Sequence, residues 1–333
     1  MKIGVIGAGS WGTTLADLLA KNGHAVTLWA YEQDLVERMR KNRKNDLYLP
    51  DFTLDDNLAF TSELSEAAVG KELVVLVAPS QVMRSVVRQT ESYLADDVIL
   101  VSAAKGIEND TLMPMSEVLR EVLPEHRCRR SAFLSGPTFA REVAAEMPTA
   151  LTVASEDEDI ARCVQKAFSC DYFRVYRSKD IIGVELGGAL KNVIALGAGI
   201  SDGLGYGYNA RAALITRGLV EMTRIGVAMG AQERTFMGLS GMGDLVLTCT
   251  GDLSRNRSVG LELGRGRKLE DILSGMKMVA EGVKTTLSAY QLAKRLGVET
   301  PIIEQMYQIL FENKDPRDAV FDLMQRSLKA EMN

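Results

Sequence analysis

Histidine is nearly absent: the 333 residues contain two, His24 and His126. His24 follows Asn22-Gly23, which reads as a helix-to-strand turn, and His126 sits in the charged run Pro124-Glu125-His126-Arg127. Both read as surface residues, so a chain that moves protons must do so with Lys, Asp or Glu. The four cysteines, Cys128, Cys163, Cys170 and Cys249, form no CxxC pair and have no histidine beside them. That argues against a metal site of the zinc type and for reduced thiols in the cytoplasm. Positive charge is not in excess either. The 39 Lys and Arg against 44 Asp and Glu leave −5, the wrong sign for a general nucleic-acid binder, though one basic pocket stays compatible with it. No apolar run approaches the ~20 residues of a membrane span, so no stable membrane insertion is expected. The opening MKIGVIGAGSWG has one Lys ahead of apolar residues, as a signal peptide does. Its glycines and the lack of a small-residue cleavage site favour a buried strand instead. No linker rich in Pro and Gly, no internal repeat and no low-complexity tract divides the chain.

What is present is an α/β pattern. At ~150 residues per domain the length makes about two domains. Residues 2–6, 25–30, 72–78, 98–103, 131–135, 149–154 and 172–176 read as strands. Helical stretches at 12–22, 32–43, 81–92, 111–122 and 157–168 separate most of them, with Gly23 closing the first in the C′ position. Strands alternating with helices imply a doubly wound, largely parallel sheet covered on both faces. Near Ser178 the pattern changes. Residues 180–200, 209–229, 256–264, 280–296, 301–312 and 316–330 all read as helices. The expected organisation is a dinucleotide-binding (Rossmann) domain over 1–178 and an all-helical substrate domain over 179–333, tightly packed because no linker joins them.

Gly7-Ala8-Gly9-Ser10-Trp11-Gly12 is a G-x-G-x-x-G that follows a strand and opens a helix, the context that makes it a dinucleotide motif. Gly7 permits the tight turn, Gly9 lets the backbone approach a pyrophosphate, and Gly12 lets helix and strand pack closely. The ribose position should end the second strand, at Tyr31-Glu32. Glu32 fits a 2′-hydroxyl, and fits equally well the first residue of the next helix. No Arg stands at 30–33 to hold a 2′-phosphate, although Arg38, Arg40 and Lys41 follow. The choice between NAD and NADP is therefore open, and loose use of both is expected. Lys105 ends another strand and is placed to meet an anion, or is a surface Lys. Ser135-Gly136-Pro137-Thr138-Phe139-Ala140 ends the next with small residues that admit a ligand. Lys191 and Asn192 interrupt a long apolar, Gly-rich helix; Lys191 reads as a buried acid/base or as a solvated helix edge. Asp244 sits in the Gly-rich turn Gly241-Met242-Gly243. Ser254-Arg255-Asn256 precedes a helix, where Ser254 or Asn256 can cap and Arg255 can clamp a phosphate or simply lie on the surface.

Together these segments resemble the bacterial NAD(P)-dependent glycerol-3-phosphate dehydrogenase family. The resemblance rests on GAGSWGTTLA, APSQVMR, AAKGIE, LSGPTFAREVA, VELGGALKNVIALGAGISDGLGYGYNARAALITRGL, GLSGMGDLVLTCTGDLSRNRSVG and VAEGVKT, from residue 7 to about 285. It implies reversible hydride exchange between glycerol 3-phosphate and dihydroxyacetone phosphate, with NAD or NADP as cofactor, in support of phospholipid synthesis. It assigns Lys191 as the general acid/base. It places Lys105, Gly136, Thr138, Asp244, Ser254, Arg255 and Asn256 on the substrate, and Ser10, Trp11, Tyr31, Lys105, Ala140, Arg255, Val279 and Glu281 along the cofactor. Position 31 is often basic in the family, and Tyr31 departs from that. Two other readings stand beside this one: a dehydrogenase of the 6-phosphogluconate or hydroxyacyl type, and a non-catalytic dinucleotide sensor. The implied partner is a small-molecule substrate; a homodimer is compatible with the sequence.

Overall fold

The computed structural model describes residues 1–276 and 280–331. Eight strands form one sheet: β1 (Lys2–Ile6), β2 (Ala25–Trp29), β3 (Leu58–Thr61), β4 (Leu73–Leu76), β5 (Ile99–Ser102), β6 (Ser131–Ser135), β7 (Thr149–Ala154) and β8 (Phe173–Ser178). Their order is β3-β2-β1-β4-β5-β6-β7-β8. The central strands are buried on both faces, which is why they read as unbroken apolar runs. The first six strands are parallel, β7 runs antiparallel to β6, and β8 is parallel to β7. One edge strand, β3, escaped the sequence reading: it has four residues, with Ala59 exposed between buried Leu58 and Phe60, and polar flanks.

The first helix, Ser10–Lys21, starts at Gly9 and ends as expected, with Gly23 at φ +83 and its N–H on the Ala20 carbonyl. Expected helix 111–122 begins only at Met115, behind Pro114, because Leu112 takes φ +60. Expected helix 316–330 ends at Met324.

Beyond Ser178 the described residues hold helices and no strand. Asp180 makes the junction. One carboxylate oxygen caps helix Ile181–Gly203 through the Gly183 N–H, and the other accepts from Gln232 N and Thr235 Oγ1. Helix Ile181–Gly203 has 23 residues, with a mean hydropathy of 1.5 over an 18-residue stretch of it, long and apolar enough by composition to cross a membrane. The sequence reading found no run of that length because Glu185, Lys191 and Asn192 break it. Here the helix is the buried axis of the helical half. Gly199 lets a neighbour approach closely: a Cβ there would lie 2.0 Å from the Arg257 carbonyl oxygen. Ile107, from the loop after β5, is fully buried in this helical core, so the sheet half inserts a side chain into the other half.

Candidate active site

A cleft of about 1200 Å³ runs along the carboxyl ends of the parallel strands and on to the helical half. Gly7, Gly9, Ser10, Trp11, Gly12, Tyr31, Lys105, Thr138, Lys191, Ser254, Arg255, Asn256 and Glu281 all line it. Residues more than 200 positions apart thus meet in one groove, as ligand sites in open α/β sheets do.

At its floor lies a group of charges. Lys191 projects from the middle of helix Ile181–Gly203, buried, and donates to Asp244 Oδ1 and to Thr248 Oγ1 at 2.9 Å. Lys105 donates to the other Asp244 oxygen at 2.7 Å, to the Gly136 carbonyl at 3.0 Å and to Thr138 Oγ1 at 3.4 Å. Burial pushes the Lys191 ammonium down, to about 7; Asp244 opposes that shift and Lys105 adds to it. Lys191 is therefore a buried, paired amine and not a solvated helix edge. Asp244 does not sit in a glycine turn. A wide turn over Leu239–Gly243 leads into helix Asp244–Thr250, and Asp244 is that helix's first residue. This register puts Thr248 one helical turn on, beside it. Thr248 was missed by sequence reasoning; treating Asp244 as a helix start would have found it at i+4.

Asn192, next to Lys191, accepts from Asn256 Nδ2 at 2.9 Å, and Asn256 Oδ1 accepts from the Gly282 N–H at 2.9 Å. With its oxygen engaged, Asn192 has its amide N–H groups left for a ligand. Ser254, not Asn256, caps helix Arg255–Gly264 through the Arg257 N–H at 3.2 Å. Arg255 opens onto the cleft while crowding by protein depresses its guanidinium pKa; it stays a cation at neutral pH. Glu281 accepts from Ser80 Oγ at 3.0 Å, and burial raises its carboxyl pKa. Gly136, Ala140 and Asp244 stand behind the cleft wall: Gly136 holds Lys105, Ala140 receives Thr14 Oγ1, and Asp244 underlies the two lysines. Val279 lies outside the described residues.

The other end of the groove fits a dinucleotide. Gly7 takes φ +116. A Cβ at Gly12 would lie 1.8 Å from the Gly7 carbonyl oxygen, whereas one at Gly9 would meet no protein atom within 4 Å. The turn is closed where strand and helix touch and open where a phosphate would pass.

Comparisons with known proteins agree with this geometry. A family model described as NAD-dependent glycerol-3-phosphate dehydrogenase N-terminus matches residues 2–161, and its C-terminus counterpart matches residues 180–321. A glycerol-3-phosphate dehydrogenase [NAD(P)+] of Syntrophotalea carbinolica is 87% identical over 333 residues, covering 100% of both chains. One from Citrifermentans bemidjiense is 66% identical over 330 residues, 99% of this chain and 98% of that one. The crystal structure of glycerol-3-phosphate dehydrogenase from Coxiella burnetii superposes with a TM-score of 0.93 at 38% identity, covering 98% of this chain and 99% of that one.

Proposed function

The chain belongs to the NAD-dependent glycerol-3-phosphate dehydrogenase family, and from that membership we propose how its cleft works. It is an NAD(P)-dependent oxidoreductase that interconverts dihydroxyacetone phosphate and glycerol 3-phosphate. The observation that carries the site assignment is the buried Lys191, paired with Asp244 at the floor of the groove that begins at Gly7–Gly12.

In the reductive direction Lys191, as ammonium, gives a proton to the carbonyl oxygen at C2. In the oxidative direction Lys191, as amine, takes the hydroxyl proton. The dinucleotide, when bound, supplies or accepts the hydride at C2. Lys105 and the Asn192 amide donate to the oxygen as it gains charge, from positions fixed before the reaction begins. Asp244 and Thr248 hold Lys191 in position. Arg255 and the first N–H groups of helix Arg255–Gly264 receive the substrate phosphate. Ser254, Asn256 and Thr138 complete that end. Gly7, Gly9, Gly12, Ser10, Trp11, Tyr31, Ala140, Val279 and Glu281 belong to the cofactor side.

The division into domains 1–178 and 179–333 goes with this reading. So do a cytoplasmic location, a role in supplying glycerol 3-phosphate for phospholipids, and a homodimer; sedimentation tests the last. The whole assignment is tested by following NADH and NADPH absorbance with dihydroxyacetone phosphate. Loss of absorbance that depends on this ketone supports it, and none with either nucleotide refutes it.

A further inference from the structure

The sequence left the end of β2, at Tyr31-Glu32, undecided between the two nicotinamide cofactors, and the side chains around it bear on the choice. Glu32 follows β2 and lines the cleft. Its carboxylate is held: Tyr48 donates its hydroxyl to Glu32 Oε1 at 2.8 Å. Tyr48 is itself tied to the glycine turn. Its N–H donates to Asn45 Oδ1 at 3.0 Å, its carbonyl accepts from Ser10 Oγ at 2.7 Å, and Asn45 Nδ2 donates to the Ala8 carbonyl at 2.8 Å. Glu32 is thus fixed relative to the backbone that would hold the pyrophosphate, with Oε2 left to accept a further bond. Helix Gln33–Asn42 starts one residue after Glu32, which the plainer sequence reading made its first residue; Glu32 stands just before it with no side-chain bond to the helix and is anchored from the cleft side.

The surrounding charge has one sign. Glu63, after β3, lines the same end of the groove. Among the described residues, the cations lining the cleft are Lys105, Lys191 and Arg255, and they lie at its catalytic end. The basic residues that follow β2 are engaged elsewhere. Arg38 is paired with Asp34 and Asp46, Arg40 donates twice to the Phe60 carbonyl, and Lys41 is exposed and does not line the cleft. A ribose 2′-hydroxyl can donate to a fixed carboxylate. A 2′-phosphate carries about −1.5 to −2 charges and only accepts, so it meets repulsion from Glu32 and Glu63 with no Arg or Lys to offset it.

We propose that this chain is selective for NAD(H) over NADP(H), with Glu32 reading the adenosine ribose and Tyr48 positioning it. The inference rests on the reading of the cleft as a dinucleotide site and narrows it to one nucleotide.

Affinity measured without substrate tests it, by calorimetric titration of the intact enzyme with NADH and with NADPH. NADH should bind at least ~30-fold more tightly. In Glu32→Gln the carboxylate charge is lost, so NADPH should bind roughly tenfold more tightly and NADH ~3–10-fold more weakly, bringing the two together. Tyr48→Phe keeps the ring and should weaken NADH by a few fold while leaving NADPH nearly unchanged. Equal affinities in the unaltered enzyme, or tighter NADPH, overturn the selectivity and leave the cleft assignment standing. Binding of neither nucleotide overturns both. A Glu32→Gln enzyme with unchanged affinities for both shows that Glu32 only precedes the helix, and overturns its role.

Discussion

Lys105 and Lys191 share one carboxylate: each donates to a different oxygen of Asp244. Two ammonium groups held this close in a buried place repel each other, so the arrangement favours a state in which one has given up its proton. Lys191, the more deeply buried of the two, is the one pushed toward neutrality. It is also the one next to the Asn192 amide.

Replacing Lys191 by Met should lower turnover ~10²–10⁴-fold, the usual contribution of a general acid/base. Asp244 would keep Lys105 as partner, so the fold should hold. Lys191 is distant in sequence from the Gly7–Gly12 turn, and nucleotide affinity should persist. Turnover and nucleotide titration on the same preparation check this; a variant keeping more than about a tenth of the activity would show that another group moves the proton.

The two directions should respond oppositely to pH. Burial lowers Lys191 to about 7. Reduction requires its protonated form, so kcat/KM for dihydroxyacetone phosphate should fall as pH rises through that region. Oxidation requires the free amine, so kcat/KM for glycerol 3-phosphate should rise over the same interval. Profiles of parallel slope in both directions would remove Lys191 from the proton's path.

Arg255→Ala should act on the substrate phosphate. A hydrogen bond to a charged group contributes ~1.5–3 kcal/mol, so kcat/KM for dihydroxyacetone phosphate should drop ~10- to 150-fold. Unphosphorylated dihydroxyacetone, a poor substrate from the start, should be affected far less. Equal losses on both would mean that Arg255 serves the fold or the cofactor, and the KM for NADH measured alongside tells those apart.

Glu185 offers a test away from the reaction. It is buried, accepts from the Ser116 N–H at 2.9 Å, and has its other oxygen without a partner. Burial raises its carboxyl to about 8. A folded-state pKa above the unfolded one means that the folded protein holds more protons. Its contribution is present below the unfolded value near 4.5 and is lost as pH rises through about 8. Glu185→Gln cannot ionise, so its Tm should drop less between pH 5 and pH 8.5 than that of the unaltered protein, by at least about 3 °C. Parallel melting curves across that range would contradict the burial argument.

Much of this was legible in the residues. The glycine turn and seven of the eight strands carry patterns that are local: a glycine spacing between strand and helix, and short apolar runs set between helical stretches; Lys191 stands out as a polar break in an apolar helix, with its burial left open. What was not legible depends on partners far along the chain. β3 is as short as β4 and β5, but exposed Ala59 breaks its apolar run, and pairing with β2 makes it a strand. Asp244 follows three glycines in six residues, which locally spell a turn; contacts with the axial helix hold that stretch helical. Tyr48 sits in irregular chain, and nothing in its neighbours points to Glu32, 16 residues earlier.

Ile107 bears on how far the enzyme can be taken apart. It leaves the sheet half two residues after Lys105 and ends among the helical side chains, where Ser288 Oγ also donates to its carbonyl. Residues 1–178 expressed alone would present that isoleucine to water, and the helical remainder would carry a hole of the same shape. The nucleotide-binding part is therefore a poor candidate for transplantation as a free-standing module. Heat should melt the whole chain in a single cooperative step, since neither half keeps a finished interior once the other has gone.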